Sequence, residues 1–384
     1  MSEKIEERIK ELEERMASTV PNKHTQRSIN FIRAQLAKCR DELVKIASSK
    51  KGGGTGFGVK KAGDAQVAFI GFPSVGKSTL LNLLTDGATH SKVAAYEFTT
   101  LQAVPGMMDI EQAKIQLIDL PGIILGAAVG KGRGKEVLGA ARNAQLVLII
   151  LSFQPDGSIN YEHAKIIRKE LWDAGIRLNQ EPAHILVEQR GSGSINFTYQ
   201  GKQNMDKEEV KSLMQDLGFQ HAVVVFYQSY VTPDQLIDHV LGNRVYMREL
   251  VVINKSDLAN PNITDDMITK AVGHDHWIKI SAINNENIQE LKKRIFKELS
   301  LIRVFLRPPG GGEPDMQKPM ILKEGDTIEQ LASKLHKSFV DNFRYASVWG
   351  KSVKHPGQKF DKMDHVLMDG DIVSLYLKRS MLNA

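Results

Sequence analysis

The sequence predicts an α/β protein built on a parallel sheet, with a helical hairpin ahead of it, an α+β insertion within it and a small β-grasp module behind it. Three observations carry this prediction. From Gln66 onward, short apolar strands alternate with helical stretches, the spacing of a sheet covered on both faces. Between Gly122 and Asn254 lie 131 residues, where two strand-helix-strand passages of roughly 30 residues each would suffice, so about 70 residues are inserted. After Leu301 a Pro- and Gly-rich stretch, "RPPGGGEPDMQKP", precedes a strand-turn-helix and then a turn-strand, the order of a β-grasp unit.

At the N-terminus, Ile5, Ile9, Leu12 and Met16 fall three or four apart, the apolar stripe of an amphipathic helix. "VPNKH" at 20–24 breaks it, and Ile29, Ile32, Leu36, Leu43 and Ile46 carry a second helix as far as the glycine run at 52–58. That run reads as a flexible linker. Next come the strand "QVAFI", the loop "GFPSVGKS" and the helix start "TLLNLLT", with further buried strands at "KIQLID", "LVLIIL", "ELVVIN" and "WIKIS". The insertion is placed at 172–240, where "HILVEQ", "SINFTY" and "AVVVFY" surround the helix "DKEEVKSLMQDLG". Thr232 as cap and Pro233 in the first turn begin the helix that returns to the sheet. The expected division is a helical domain and linker at 1–62, a central domain at 63–171 and 241–302 split by the insertion, and a linker with the β-grasp module at 303–384.

Composition narrows the class. A chain of 384 residues, 42% apolar, can bury several cores, and a single cysteine, Cys39, excludes a disulfide framework and a thiolate metal site. The longest apolar run, 146–153, is far short of the roughly 20 residues that span a bilayer. A reducing compartment, the cytoplasm, is the expectation, without membrane contact. Net charge is +6, and residues 23–61 hold ten Lys or Arg against Asp41 and Glu42. Such a basic stretch is a candidate RNA or ribosome contact.

The chemistry starts at "GFPSVGKS". Gly71, Phe72, Pro73, Ser74, Val75, Gly76, Lys77, Ser78 and the following Thr79 sit between a strand and a helix, as a phosphate-binding loop requires. Glycines let backbone N–H groups curl around phosphates, Lys77 adds positive charge, and Ser78 can ligate Mg²⁺. "DLPG" ends a later strand and puts Asp119 near the same ion and the Gly122 N–H toward a γ-phosphate. In "NKSD", Asn254, Lys255 and Asp257 end another strand, and the Asp257 carboxylate matches the two donors of a guanine edge that adenine lacks. Ser281 and Ala282 close the next strand and offer backbone N–H to guanine O6. Between these, "YEFTTL" supplies Thr99 and Thr100, with Thr100 the preferred hydroxyl for Mg²⁺. "HDH" at 274–276 reads as ordinary surface, because no third metal ligand accompanies it.

"GFPSVGKSTLL", "YEFTTL", "DLPGII" and "GKGRGKE" resemble the Obg-related GTPases, and "KELWDAGIRLN", "VTPDQLIDHV" and "SVKHPGQKF" resemble the developmentally regulated GTP-binding proteins within them. The resemblance runs along almost the whole chain. It implies a P-loop GTPase domain carrying an insertion similar to ribosomal protein S5 domain 2, and a C-terminal TGS domain. It also implies Mg²⁺-dependent GTP hydrolysis tied to translation, ribosome association and a stabilising regulatory protein. One departure from the usual GTPase device is Ile123, which follows Gly122 and cannot orient water as a glutamine does. Catalysis then falls to Lys77, Thr100 and Gly122, with help from a partner, from Lys131 or Arg133, or from K⁺. Related enzymes hold potassium with a P-loop asparagine, whose place Ser74 takes here. Slow hydrolysis by a monomeric G domain is the expectation; the competing reading is a GTP-binding scaffold whose turnover is incidental.

Overall fold

The structure, a computed structural model, describes residues 2–22, 24–49, 61–85, 105–120, 139 and 141–378. Helices α1 (Ser2–Ser18) and α2 (Gln26–Ser49) form the predicted hairpin. Asn22 holds its turn, accepting from His24 N and Thr25 N at 2.9 Å each. The apolar stripes of the two helices meet through Ile9 and Leu12 on one and Ile32, Leu36, Cys39 and Leu43 on the other.

The central sheet begins with β1 (Ala65–Gly71), β2 (Pro105–Ile110), β3 (Ala113–Asp119), β4 (Leu146–Ser152) and the short β5 (Ile176–Leu178). Helix α3 (Lys77–Leu84) follows β1, and α4 (Glu162–Asp173) follows β4. The insertion then contributes β6 (Ile185–Gln189), β7 (Ile195–Tyr199), α5 (Lys207–Asp216), β8 (Ala222–Phe226) and α6 (Pro233–Leu241). The central domain resumes with β9 (Val245–Asn254), α7 (Asp265–Val272), β10 (Trp277–Lys279) and α8 (Ile288–Glu298). Its strand order is β10-β9-β4-β1-β3-β2, with β5 alongside β9. All pairings are parallel except β2 with β3. Every residue of β1 and β4 is buried, as strands covered by helices on both faces must be.

The three insertion strands make a separate sheet, ordered β6-β8-β7, and α5 and α6 start at complete capping boxes on Asp206 and Thr232. Because β5 pairs with β9, the chain stays in the central sheet beyond residue 172 and leaves it only after Leu178. Helix α2 lies on the insertion: Ala34 joins its core, Arg27 Nε donates to Ser212 Oγ at 3.0 Å, and Lys38 Nζ donates to the Asp216 carbonyl at 2.7 Å.

The C-terminal module holds β11 (Leu301–Leu306), β12 (Met320–Lys323), α9 (Ile328–Leu335), α10 (Lys337–Asp341), β13 (Phe343–Trp349), β14 (Gln358–Phe360) and β15 (Ile372–Leu377). Its order, β12-β11-β15-β13-β14, with β11 and β15 parallel at the centre, is the β-grasp arrangement. One expectation is corrected here. β11 belongs to this sheet, so the Pro- and Gly-rich stretch after it is a loop inside the module and not a spacer ahead of it. The module is fixed to the central domain by Arg303 to Glu111 at 2.6 Å and Lys334 to Asp64 at 3.2 Å. Among the described residues, no helix is long and apolar enough to cross a membrane.

Candidate functional site

The loops after β1, β3, β9 and β10 all leave from the carboxyl edge of the sheet, where ligands of open α/β sheets bind. Residues 71–78 curl from β1 into α3. Gly76 sits at φ +90°, in the left-handed region, and a Cβ there would lie 2.4 Å from Asn254 Nδ2. Only glycine meets both demands. Ser74 also adopts a left-handed φ of +66°. Helix α3 starts at Gly76 without any side-chain cap, in contrast to α5 and α6. Its first-turn N–H groups are therefore free to meet an anion.

Lys77 Nζ donates to the carbonyls of Gly71 at 2.9 Å and Phe72 at 3.0 Å, which places the ammonium inside the curl of its own loop. Burial pushes its pKa down, against the opposing pull of Asp119. Burial also pushes the Asp119 carboxyl up, while Lys77 and the hydroxyl of Ser78 oppose that. Ser78 Oγ donates to Asp119 Oδ2 at 3.4 Å, and the buried Asp119 Oδ1 has no hydrogen-bond partner. An orphaned buried carboxylate oxygen beside a hydroxyl is a hard-oxygen pair that fits Mg²⁺.

The loops after β9 and β10 meet this edge through one side chain. Asn254, 2% exposed at the end of β9, donates from Nδ2 to the Val75 carbonyl at 2.9 Å. Its Oδ1 accepts from Lys255 N at 2.8 Å and Ala282 N at 3.0 Å. The amide thus ties the phosphate loop to the loops after β9 and β10. Lys255 turns the chain at φ +61°, leaving Asp257 exposed. Ser281 Oγ, fully buried, donates to Asp257 Oδ1 at 2.5 Å and orients that carboxylate.

The geometry differs from the sequence expectation at Ser281 and Ala282. In place of N–H groups facing guanine O6, Ala282 N donates to Asn254 Oδ1 and Ser281 N to the Glu286 carbonyl at 3.3 Å. The two residues therefore shape the site through the side chains they orient. Glu286, which no motif marks, supports the same loop by accepting from Ser256 Oγ at 3.1 Å. Phe72, Pro73 and Thr79 lie in the loop and first turn as predicted. Thr99, Thr100, Gly122, Ile123, Lys131 and Arg133 lie outside the described residues, as do Lys50, Lys51 and Lys60 of the basic stretch.

Within α2, four charges of that basic stretch are engaged by other elements. Arg27 and Lys38 bond to the insertion, Arg33 lies 3.7 Å from Asp234, and Arg40 pairs at 2.9 Å with both Glu13 and Asp173. Their acidic and carbonyl partners on later elements lie more than 100 residues away, beyond the reach of local charge counting. "HDH" also departs from expectation: His274 and His276 cap the buried carboxylates of Glu249 and Glu298, the second at 3.1 Å. Among the described residues no group of His, Cys, Asp and Glu is arranged to hold a metal by itself.

Comparison of the sequence with known families and proteins places it among GTP-binding proteins. The family model described as "50S ribosome-binding GTPase" matches residues 66–189, the C-terminal region of the same domain matches 192–301, and the TGS domain matches 302–377. Developmentally-regulated GTP-binding protein 1 of Xenopus laevis is 44% identical over 97% of this chain and 98% of its own. Its Dictyostelium discoideum homolog is 42% identical over 97% and 99%. An uncharacterized GTP-binding protein of Methanocaldococcus jannaschii is 43% identical over 98% and 93%. The solved structure of the Schizosaccharomyces pombe YchF GTPase aligns at 15% identity with a TM-score of 0.47, covering 83% of this chain and 99% of that one.

Proposed function

The chain belongs to the developmentally regulated GTP-binding proteins, and from that premise we propose that it hydrolyses GTP slowly and couples its nucleotide state to the translating ribosome. The observation that carries the reading is the Asn254 amide, which joins a phosphate loop to a guanine-selective carboxylate in one rigid unit. In this reading Lys77 leaves the carbonyls of Gly71 and Phe72 and takes the β- and γ-phosphates as acceptors, beside the uncapped first turn of α3. Asp257, held by Ser281, accepts from the guanine N1–H and amino group. Ser78 and Asp119, with Thr100, would hold Mg²⁺, which neutralises phosphate charge as it develops.

Slow turnover follows from Ile123, which brings no group able to orient water. Positioning and charge neutralisation remain, so activation comes from a ribosomal partner, from K⁺ near Ser74, or from Lys131 or Arg133 in cis. Support for the ribosome comes from the wording of the matched family and from Lys50, Lys51, Lys60 and Lys61, the part of the basic stretch not committed to α2. A cytoplasmic setting and a family regulatory protein complete the proposal. The test is steady-state GTP hydrolysis by the purified chain in potassium and in sodium, with and without ribosomes. Stimulation by ribosomes supports the coupling; turnover of several per second by the chain alone refutes it. In the scaffold alternative, Lys77→Ala would abolish turnover and leave growth and translation unchanged.

A further inference from the structure

We propose that helix α4 is a strut that couples the phosphate-binding loop to the N-terminal helical hairpin, with His163 and Asp173 as its two end contacts. The proposal rests on reading residues 71–78 as the nucleotide loop and adds the route by which that loop reaches an appended domain. α4 has 12 residues, about 18 Å at 1.5 Å per residue.

At its first turn the His163 ring stacks on the Phe72 ring, with centroids 3.9 Å apart and planes inclined by 12°. Phe72 is not a bystander, since its carbonyl holds Lys77 Nζ. Its ring also packs against the apolar layers on both faces of the central sheet. Asn160 sets the histidine from the other side, with Nδ2 3.2 Å from His163 Nε2 and Oδ1 accepting from Glu162 N at 3.1 Å. Any movement of the loop that follows exchange of Lys77 from carbonyls to phosphates meets this stacked pair first.

At its last turn Asp173 pairs with Arg40 at 2.9 Å, and Arg40 also holds Glu13 at 2.9 Å. One carboxylate of α4 is thereby tied to both helices of the hairpin. The neighbouring Trp172 carries the Arg177 guanidinium 3.6 Å above its ring, and Arg177 grips Asp238 of α6 through two bonds of 2.6 and 2.9 Å. The same turn therefore seats the insertion. Between the ends, Ala164, Ile167 and Leu171 are buried against the sheet, and Arg168 is pinned to the buried Glu249 at 2.6 Å. Close-packed helices shift as bodies and do not deform locally, so a displacement at His163 is delivered to Asp173.

Coupling between two sites is reciprocal: whatever GDP does to hairpin docking, hairpin docking does to GDP affinity. The experiment uses the full chain with and without GDP. Fluorescent GDP titration reads affinity, and hydrogen exchange reads the backbone amides of 26–43 in α2. The expected result is that GDP changes α2 exchange roughly 5-fold or more in the natural chain, that His163→Ala and Asp173→Asn each abolish the change, and that His163→Phe, which keeps a stacked ring, retains it. Exchange that responds equally in His163→Ala, or an α2 that ignores GDP while GDP binds, overturns the strut alone. A chain that binds no guanine nucleotide overturns the function reading and the strut together. Circular dichroism of each variant separates lost coupling from lost fold, and a folded Asp173→Asn that responds as the natural chain does also refutes the proposal.

Discussion

Asn254 and Val75 are joined by a 2.9 Å hydrogen bond from a side-chain amide to a backbone carbonyl, across 179 residues of sequence. That bond makes the phosphate loop and the loop after β9 one object. Asn254→Ala leaves the Val75 carbonyl and the Ala282 N–H without their partners at a buried position, a cost of about 1–3 kcal/mol. GDP and GTP affinity are expected to fall together, by roughly 10- to 100-fold, as read by fluorescent nucleotide titration. Equal affinity in the variant would show that the loops are held by something else.

Gly76→Ala is expected to remove phosphate binding while leaving the fold. A left-handed φ costs an L residue about 1–2 kcal/mol, and the new Cβ would lie 2.4 Å from Asn254 Nδ2. The helical circular dichroism should persist while GDP binding drops at least about 10-fold. Retained binding would mean that the loop can open without loss.

Asp257→Asn should change base preference more than it changes affinity. An amide offers one acceptor and one donor, which matches the N1–H and 2-oxo pair of xanthine better than the two donors of guanine. Competition between GDP and xanthosine diphosphate measures this, and an unchanged preference for GDP would remove Asp257 from base recognition.

The pair formed by Asp173 and Arg40 predicts a pH dependence of stability. Burial raises the Asp173 carboxyl from 3.8 to about 6; Arg40 and Lys169 pull it down, and Glu13 and Glu170 push it up. An acid whose folded pKa lies above its unfolded value contributes stability that is complete below the unfolded pKa and is lost as pH rises through the folded one. The natural chain should therefore lose on the order of 3 kcal/mol of this contribution between pH 4 and pH 6.5, set against the gains from other carboxylates. Asp173→Asn should remove that component. Denaturant unfolding of both chains across this range gives the difference directly, and parallel curves would contradict the assignment.

Much of this site is legible in the sequence itself. "GFPSVGKS" and "NKSD" are local motifs whose spacing already encodes a strand, a turn and a required glycine, so Gly76 and Asp257 stand where expected. What the sequence hides are relations between distant segments. β5 has three residues, too few for periodicity, and exists because β9 accepts it. β11 reads as the end of one domain, because its pairing with β15 spans more than 60 residues. The charges of α2 read as part of an RNA or ribosome contact because their partners lie far off in the sequence, in the insertion, α4 and α6. Phe72 is visible as a loop residue, but nothing in "INYEH" announces the ring that stacks on it.

A guanine nucleotide held across the Asn254 junction is selected by its base as well as by its phosphates. Displacement of fluorescent GDP by GDP, GTP, ADP and ATP in Mg²⁺ buffer tests it most directly. Displacement is expected with both guanine nucleotides and not with adenine nucleotides at roughly 100-fold higher concentration, a gap of about 2.7 kcal/mol. Equal displacement by ATP would contradict it.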